Sequence, residues 1–237
     1  MKLAVMQPYF FPYIGYFQLM NLVDQWIIFD DVQFINKGWI NRNRILHPST
    51  EKKWQYITIP LAGKNRFDKI SEIKINNKDN WHDTIYGKLS HYKRKAPYYK
   101  ETLDIVKNCL DVEEDNLSKL VIRTIKNMAS VLGIRTVIRE FSDLKLGKLE
   151  IAHSGQWALK VSKSVGANSY INPINGEHLF DRNEFIYENI DLHFFEAESK
   201  IYSQRREGFV DNLSIIDIMM WNSIESIKEM LQLGVLK

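Results

Sequence analysis

The sequence predicts an α/β fold: a Rossmann-like, mostly parallel sheet flanked by helices, with an irregular and helical insertion and a helical C-terminus. Three observations predict it. A strand–loop–helix–strand order fills about the first 30 residues, the size of a right-handed βαβ unit with parallel strands. Alternating strand and helix patterns return between Thr136 and Phe195. An acidic pair, Asp30-Asp31, falls at the carboxyl end of the second strand, on the edge of an open α/β sheet where ligands bind.

Leu3 to Met6 reads as a short buried strand, Tyr13 to Val23 as a helix entered after Pro12, and Trp26 to Phe29 as the returning strand. Between the first two lies Gln7-Pro-Tyr-Phe-Phe-Pro-Tyr-Ile-Gly-Tyr-Phe-Gln18, where two prolines each remove an N–H and restrict the preceding residue. A shaped loop explains it better than a regular element. From Val32 to Ser71 the pattern is less regular. Trp54 to Ile59 alternates as a strand until Pro60, Gly63 to Arg66 is turn-like, and Ile70 to Ile75 adds a further strand. Helices follow from Asn80, interrupted at Pro97, and from Tyr98 to Leu110. Asn116 to Leu132 is the clearest helix: Leu117, Leu120, Val121, Ile125, Met128 and Val131 share a face, with Asn116 as N-cap and Gly133 as C-cap. Thr136 to Arg139 is a strand, Ile151 to Val165 a helix closed by Gly166, Ser169 to Asn172 a strand, Glu177 to Asn189 a helix and Leu192 to Phe195 a strand. A terminal helix from Leu213 to Leu233 bends near Asn222-Ser223. The chain reads as one α/β domain over 1–237, with residues 32–115 inserted as a cap.

Composition narrows the function classes. With 45% hydrophobic and 26% charged residues, 237 residues suffice for a substantial core. Lys plus Arg number 32 against 29 Asp plus Glu, so the net charge of +3 gives no electrostatic case for nucleic acid. The basic run at 91–95 lies on a helix, where solvated charge is expected. A single cysteine, Cys109, precludes an internal disulfide, and no Cys/His spacing suggests zinc, so no metal is expected. No apolar run approaches the roughly 20 residues of a membrane span, and a cytoplasmic protein is expected.

Several residue groups carry chemistry. Gln7, directly after the first strand, offers an amide that donates and accepts at the sheet edge. The loop Pro12-Tyr13-Ile14-Gly15-Tyr16 resembles a nucleotidylyltransferase phosphate loop, with tyrosine at the final histidine's position, which marks Gly15 and Tyr16. Most of the loop's other aromatics are expected to be packing. Adjacent Asp30 and Asp31 point to opposite sheet faces and so do not chelate one ion together; one faces the cleft and the other caps a turn. Lys37, Asn41, Arg42 and Arg44 form a basic, amide-rich group in which Arg42 and Arg44 share a face if the chain is extended. Forked guanidinium groups suit phosphate or carboxylate. Asn172 and Gly176 shape a loop after a later strand, and Tyr202 with Gln204 forms a polar group near Asp217, which is expected to pair with a buried cation such as an arginine. His153 and His178 are acid–base candidates by residue type alone.

Gln7-Pro8 with Pro12 and Gly15-Tyr16-Phe17, Asp30 to Phe34, Trp39 with Asn41 to Ile45, Tyr170 to Pro173, Tyr202, Gln204 and Leu213 to Asp217 occur together and in order. This combination resembles the WbqC-like protein family from near the N-terminus to the last helix. The resemblance implies a bacterial protein of O-antigen or other surface-polysaccharide biosynthesis. The leading expectation is an enzyme that acts on a nucleotide-linked amino sugar by N-acyl or aminoacyl transfer, with Asp31 or His153 as base and Lys37, Arg42 and Arg44 on the diphosphate. ATP or an acyl donor would supply the activated carbonyl. The alternative is a non-catalytic accessory protein that binds a sugar nucleotide or glycan. Nucleic-acid binding ranks below both.

Overall fold

Alternation along the first strand separates two cores. Leu3 and Val5 point into one apolar cluster, together with Ala158, Leu159 and Val161, whereas Ala4 points into the other, larger one. A strand buried on both faces needs helices on both sides, and the fold supplies them. The computed structural model describes residues 1–65, 67–147 and 150–237.

β1 (Lys2–Met6), α1 (Ile14–Leu22) and β2 (Gln25–Ile28) form the opening unit, with β1 and β2 parallel. The chain then leaves the sheet. It makes the antiparallel hairpin β3 (Arg42–Leu46) and β4 (Trp54–Thr58), then α2 (Trp81–Leu89), α3 (Tyr99–Leu110) and α4 (Leu117–Val131). It returns as β5 (Val137–Glu140), parallel to β2. α5 (Gln156–Val165), β6 (Ser169–Pro173), α6 (Arg182–Tyr187) and β7 (Asp191–Glu196) follow, then α7 (Ile215–Trp221), α8 (Ile224–Met230) and the short β8 (Val235–Leu236). The strand order is β5-β2-β1-β6-β7-β8, parallel except for β8. The result is a mixed α/β fold with a mostly parallel six-stranded sheet flanked by helices. From β1 the chain builds outward to β2 and β5 on one side and to β6 and β7 on the other. The order therefore reverses between β1 and β6, where a crevice opens at the carboxyl edge.

Caps explain the agreement with the sequence and several departures from it. Asn116 accepts from the Lys119 amide and starts α4 as expected, and Gly133 lies just past its end with φ of 72°. Gly166 closes α5 with φ of 69°. The helix expected from Ile151 begins five residues later, because the Gln156 side chain takes the Ala152 amide and holds residues 151–155 in a turn. The helix expected from Glu177 becomes a 3-10 turn over Ile174–Leu179, and Asp181 caps a new start at α6. Ile70 to Ile75 is not a strand. Glu72 accepts from the Lys69 amide and curls the segment into a 3-10 turn. The terminal helix is two helices, since Ser223 caps α8 at the expected bend, and the chain ends as an edge strand rather than in a helix. Of the turn expected over residues 63–66, Arg66 lies outside the described residues.

Gly155 marks a close approach between layers. A Cβ there would stand 2.2 Å from the Leu179 carbonyl oxygen, a backbone atom that cannot swing aside. Gly155→Ala is expected to destabilise the protein by about 1–3 kcal/mol. Urea unfolding at neutral pH checks this, and an unchanged midpoint would show that the α5–α6 layer gives way easily.

Candidate functional site

The left-handed turn at Phe11 sets the geometry of the carboxyl edge. Its φ of 41° is unfavourable for a bulky side chain and persists where neighbours fix the backbone. Here they do. The buried Asn43 amide donates to the carbonyls of Phe10 at 3.0 Å and Phe11 at 2.9 Å. The Ser214 hydroxyl donates to the Phe11 carbonyl at 2.7 Å, and the Phe10 amide donates to the Trp39 carbonyl at 2.9 Å. Phe10 and Phe11 are fully buried, so the loop is anchored by its apolar tip while Tyr9 and Tyr13 stay half-buried at its flanks.

A cleft of about 490 Å³ opens above this loop, at the reversal of the strand order. Met6 comes from the end of β1, Asn172 and Pro173 from the end of β6, and Tyr9 and Tyr13 from the opening loop. Trp39, Arg44 and Asn212 close the opposite wall. Burial pushes the Tyr9 phenol above its ordinary pKa, and burial with the neighbouring Tyr9 does the same for Tyr13. Both are therefore neutral hydrogen-bond donors at physiological pH. Arg44 is the only cationic side chain among the described lining residues, which include no carboxylate, imidazole or thiol. Its guanidinium lies 5.0 Å from the Trp39 ring and 5.3 Å from Trp54, and one Nη donates to the Asn212 carbonyl at 3.2 Å. Its Nε is buried without a partner. A larger hollow of about 650 Å³ lies between residues 77–82 and 112–115, away from this edge. There the Asn80 amide donates to the Asp83 carboxylate and the Trp81 indole to the Asn77 side-chain carbonyl oxygen.

The residues named from sequence separate into two groups. Arg44 and Asn172 line the cleft, and Gly176 lines it too: a Cβ on Gly176 would meet the Asn172 amide nitrogen at 2.4 Å. Gln7, half-buried just past β1, is not among the described lining residues, and its backbone carbonyl accepts from the Tyr16 hydroxyl at 3.1 Å. The other group is engaged in structure. Tyr16 is 1% exposed and its hydroxyl is spent on Gln7, so it supports the loop rather than meeting a ligand. Gly15 is needed for packing, since a Cβ would fall 2.4 Å from the Tyr13 ring and 2.6 Å from Ala197. The Asn41 amide donates to the Ile59 carbonyl, and Arg42 donates to the carbonyls of Lys37 and Gly38 while lying over the Tyr56 ring. Lys37 is exposed on that turn with φ of 61°.

Neither expected base reaches the cleft. Asp31 is held by the Lys69 ammonium at 2.8 Å and the Ser71 hydroxyl at 3.1 Å, and Asp30 accepts from the Ser142 amide and hydroxyl. Both carboxylates of the pair therefore tie turns, and neither lines the cleft. His153 pairs with Glu184 on α6, outside the cleft lining. Sequence reasoning missed Tyr9, Tyr13, Trp39 and Asn212 as lining residues. The available signal was the Tyr-x-Gly-Tyr spacing, in which Tyr13 as well as Tyr16 occupies a histidine-like place.

Tyr202 and Gln204 belong to a buried network beneath the cleft wall. Fully buried Asp217 accepts from the Tyr92 hydroxyl at 2.5 Å, the Tyr202 hydroxyl at 2.6 Å and the Gln204 amide at 3.3 Å. Gln204 also exchanges two bonds with the Val210 backbone. Hydroxyls and an amide thus stand where a buried arginine was expected. They satisfy the carboxyl without a counter-charge, and burial raises its pKa despite them.

The WbqC-like protein family matches residues 7–229 of the chain. An uncharacterized protein of Mycobacterium tuberculosis (strain ATCC 25618 / H37Rv), Rv1507c, is 32% identical over 223 residues, which cover 92% of each chain. No solved structure matches. No helix among the described residues is long and apolar enough to cross a membrane.

The folded protein holds the Asp217 proton more tightly than the unfolded chain does. Its contribution to stability is therefore full below the ordinary carboxylate range and falls as pH rises through the raised value. Asp217→Asn lacks this dependence, so the stability difference between wild type and variant should shift against the wild type as pH rises. Urea midpoints of both proteins between pH 4 and pH 8 measure it, and a constant difference would count against a raised pKa.

Proposed function

The chain belongs to the WbqC-like protein family, and on that premise we propose that it acts in bacterial O-antigen or other surface-polysaccharide biosynthesis, binding a nucleotide-linked amino sugar at the carboxyl edge of the sheet and transferring an acyl or aminoacyl group to its amine. We read the strand order as Rossmann-like, residues 1–237 as one domain with 32–115 inserted as a cap, and the cytoplasm as its compartment. One observation carries the ligand class: Arg44 stands at the reversal of the strand order, wedged between tryptophans, with a buried and unpartnered Nε. The Arg44 guanidinium is the one cationic group among the described lining residues, and its fork suits a phosphate oxygen.

Transfer to an amine needs a neutral nucleophile, an activated carbonyl and a place for the oxyanion. The sugar amine attacks the carbonyl carbon, and the electron pair moves to oxygen, where the Tyr9 and Tyr13 hydroxyls donate hydrogen bonds. The oxyanion then collapses, the donor's activating group leaves with its electron pair, and the ammonium proton passes to water. ATP-dependent adenylation or a ready-made acyl donor supplies the activated carbonyl. Asn172, whose Oδ1 accepts from the Tyr170 hydroxyl and whose amide donates to the Pro173 carbonyl, meets a sugar hydroxyl with its remaining N–H or lone pair. A second reading, a non-catalytic sugar-nucleotide or glycan-binding accessory protein, is favoured by the absence of any carboxylate, imidazole or thiol among the described lining residues.

Arg44→Ala is expected to weaken binding of a UDP- or dTDP-linked amino sugar at least roughly tenfold, about 1.4 kcal/mol, with the thermal midpoint little changed. Unchanged affinity by calorimetry would remove Arg44 from the site. Tyr13→Phe should leave affinity within about threefold and reduce product formation roughly a hundredfold. Saturable binding without product across a panel of ATP-dependent and preactivated donors would establish the accessory role instead.

A further inference from the structure

The β3–β4 hairpin turns one face to the core and one outward. Register pairs Arg42 with Thr58, Arg44 with Tyr56 and Leu46 with Trp54, and residues opposite one another in an antiparallel pair share a side. Asn43, Ile45 and Ile57 on the other side are buried; this side carries two arginines, two half-buried aromatic rings, Thr58 and no carboxylate, and is tied to the core at its Leu46–Trp54 end. These groups form a ladder. Arg42 lies 4.2 Å from the Tyr56 ring centroid, Tyr56 lies 4.9 Å from Trp54, and Arg44 sits between Trp54 and Trp39. The inner end, Trp39 and Arg44, is the wall of the cleft, and the outer end is Arg42.

We propose that this face is the nucleoside subsite of the ligand: the base stacks on the Trp54–Tyr56 rings, the diphosphate lies on Arg44 between those rings and the cleft, and the sugar enters the cleft under Tyr9, Tyr13 and Asn172, while Arg42 backs the Tyr56 ring at the outer end. The inference rests on the nucleotide-linked sugar reading and adds the ligand's orientation and the residues that hold its base. Two features select a nucleotide over a neutral glycan. Half-buried rings already interleaved with guanidinium planes accept one more flat, conjugated ring on their open side. Two guanidinium groups with no carboxylate on their face call for anionic charge that a neutral glycan does not bring. Arg42 spends its Nε and one Nη on the turn at Lys37 and Gly38, which fixes the plane it presents.

The test is a truncation series on the wild-type protein, followed by calorimetry and tryptophan fluorescence: the UDP-linked amino sugar, UDP, and the free amino sugar. UDP is expected to bind within about tenfold of the full ligand, and the free amino sugar to show no saturation. Trp54→Leu and Tyr56→Leu, which keep apolar bulk, should each weaken UDP and the full ligand by the same factor, roughly fivefold or more. Full-ligand binding that depends on Arg44 but is matched by no UDP binding, or by unchanged affinities in both leucine variants, overturns the subsite and leaves the proposed function standing. Absence of full-ligand binding to the wild type removes both. Salt-sensitive binding of unrelated oligonucleotides that is lost in both variants would assign the face to nucleic acid and overturn the proposal. Because the truncation series needs no variant, a folding defect in either substitution leaves it decisive.

Discussion

The buried amide of Asn43 is the constraint on which the carboxyl edge depends. One side chain on β3 holds two consecutive carbonyls of the opening loop, and Ser214, just ahead of α7, reaches the second of them from the opposite side. Three segments far apart in the chain meet at this point. Without them a phenylalanine in the left-handed region would relax, and Tyr9 and Tyr13 would lose their positions across from Arg44. Each bond is worth only about 1 kcal/mol in net stability. Their geometric effect is larger, because they convert an aromatic-rich loop into a rigid wall.

A second layer of support lies behind the hairpin. Asp217 gathers Tyr92, Tyr202 and Gln204, and the Tyr92 hydroxyl in turn accepts from the Leu46 amide of β3. The carboxyl thus joins the helical segment around Tyr92, the strand carrying Arg44, and the irregular stretch that leads to Asn212. Asn212 offers its carbonyl to Arg44 from a backbone with φ of 52°. Network and loop clamp therefore converge on one guanidinium from two directions. Burying a carboxyl with neutral donors alone costs solvation energy, and three well-placed donors offset part of that cost.

The cleft's electrostatics are sparse. Among the described lining residues stand one cation, two neutral phenols and several carboxamides, a set rich in neutral hydrogen-bonding groups and poor in charge. Asp31, expected as a base, and its neighbour Asp30 instead anchor the chain as it leaves and re-enters the sheet region. Asp30 reaches Ser142 after β5, while Asp31 reaches Lys69 and Ser71 before the helices. Their place at a strand end is real, and their work there is structural.

The sequence by itself determined the sheet strands of the βαβ units, the cap of α4 at Asn116, and the bend at Ser223, because periodicity, apolar runs and capping side chains act over a few residues. It also named Arg44, Asn172 and Gly176, which the fold brings to the lining of one cleft. Only the tertiary structure decided which of the chemically similar candidates meet. Arg42 and Arg44 are two residues apart on one strand face, yet only Arg44 lines the cleft, because Arg42 is drawn to the Lys37–Gly38 turn. Tyr13 and Tyr16 read alike in the opening loop. The helix that starts between them turns Tyr16 into the core against Trp26 and leaves Tyr13 at the cleft. Hydrogen-bond partners more than 100 residues away, as with Tyr92 and Asp217, leave no local pattern to read, since chain closure rather than spacing brings them together.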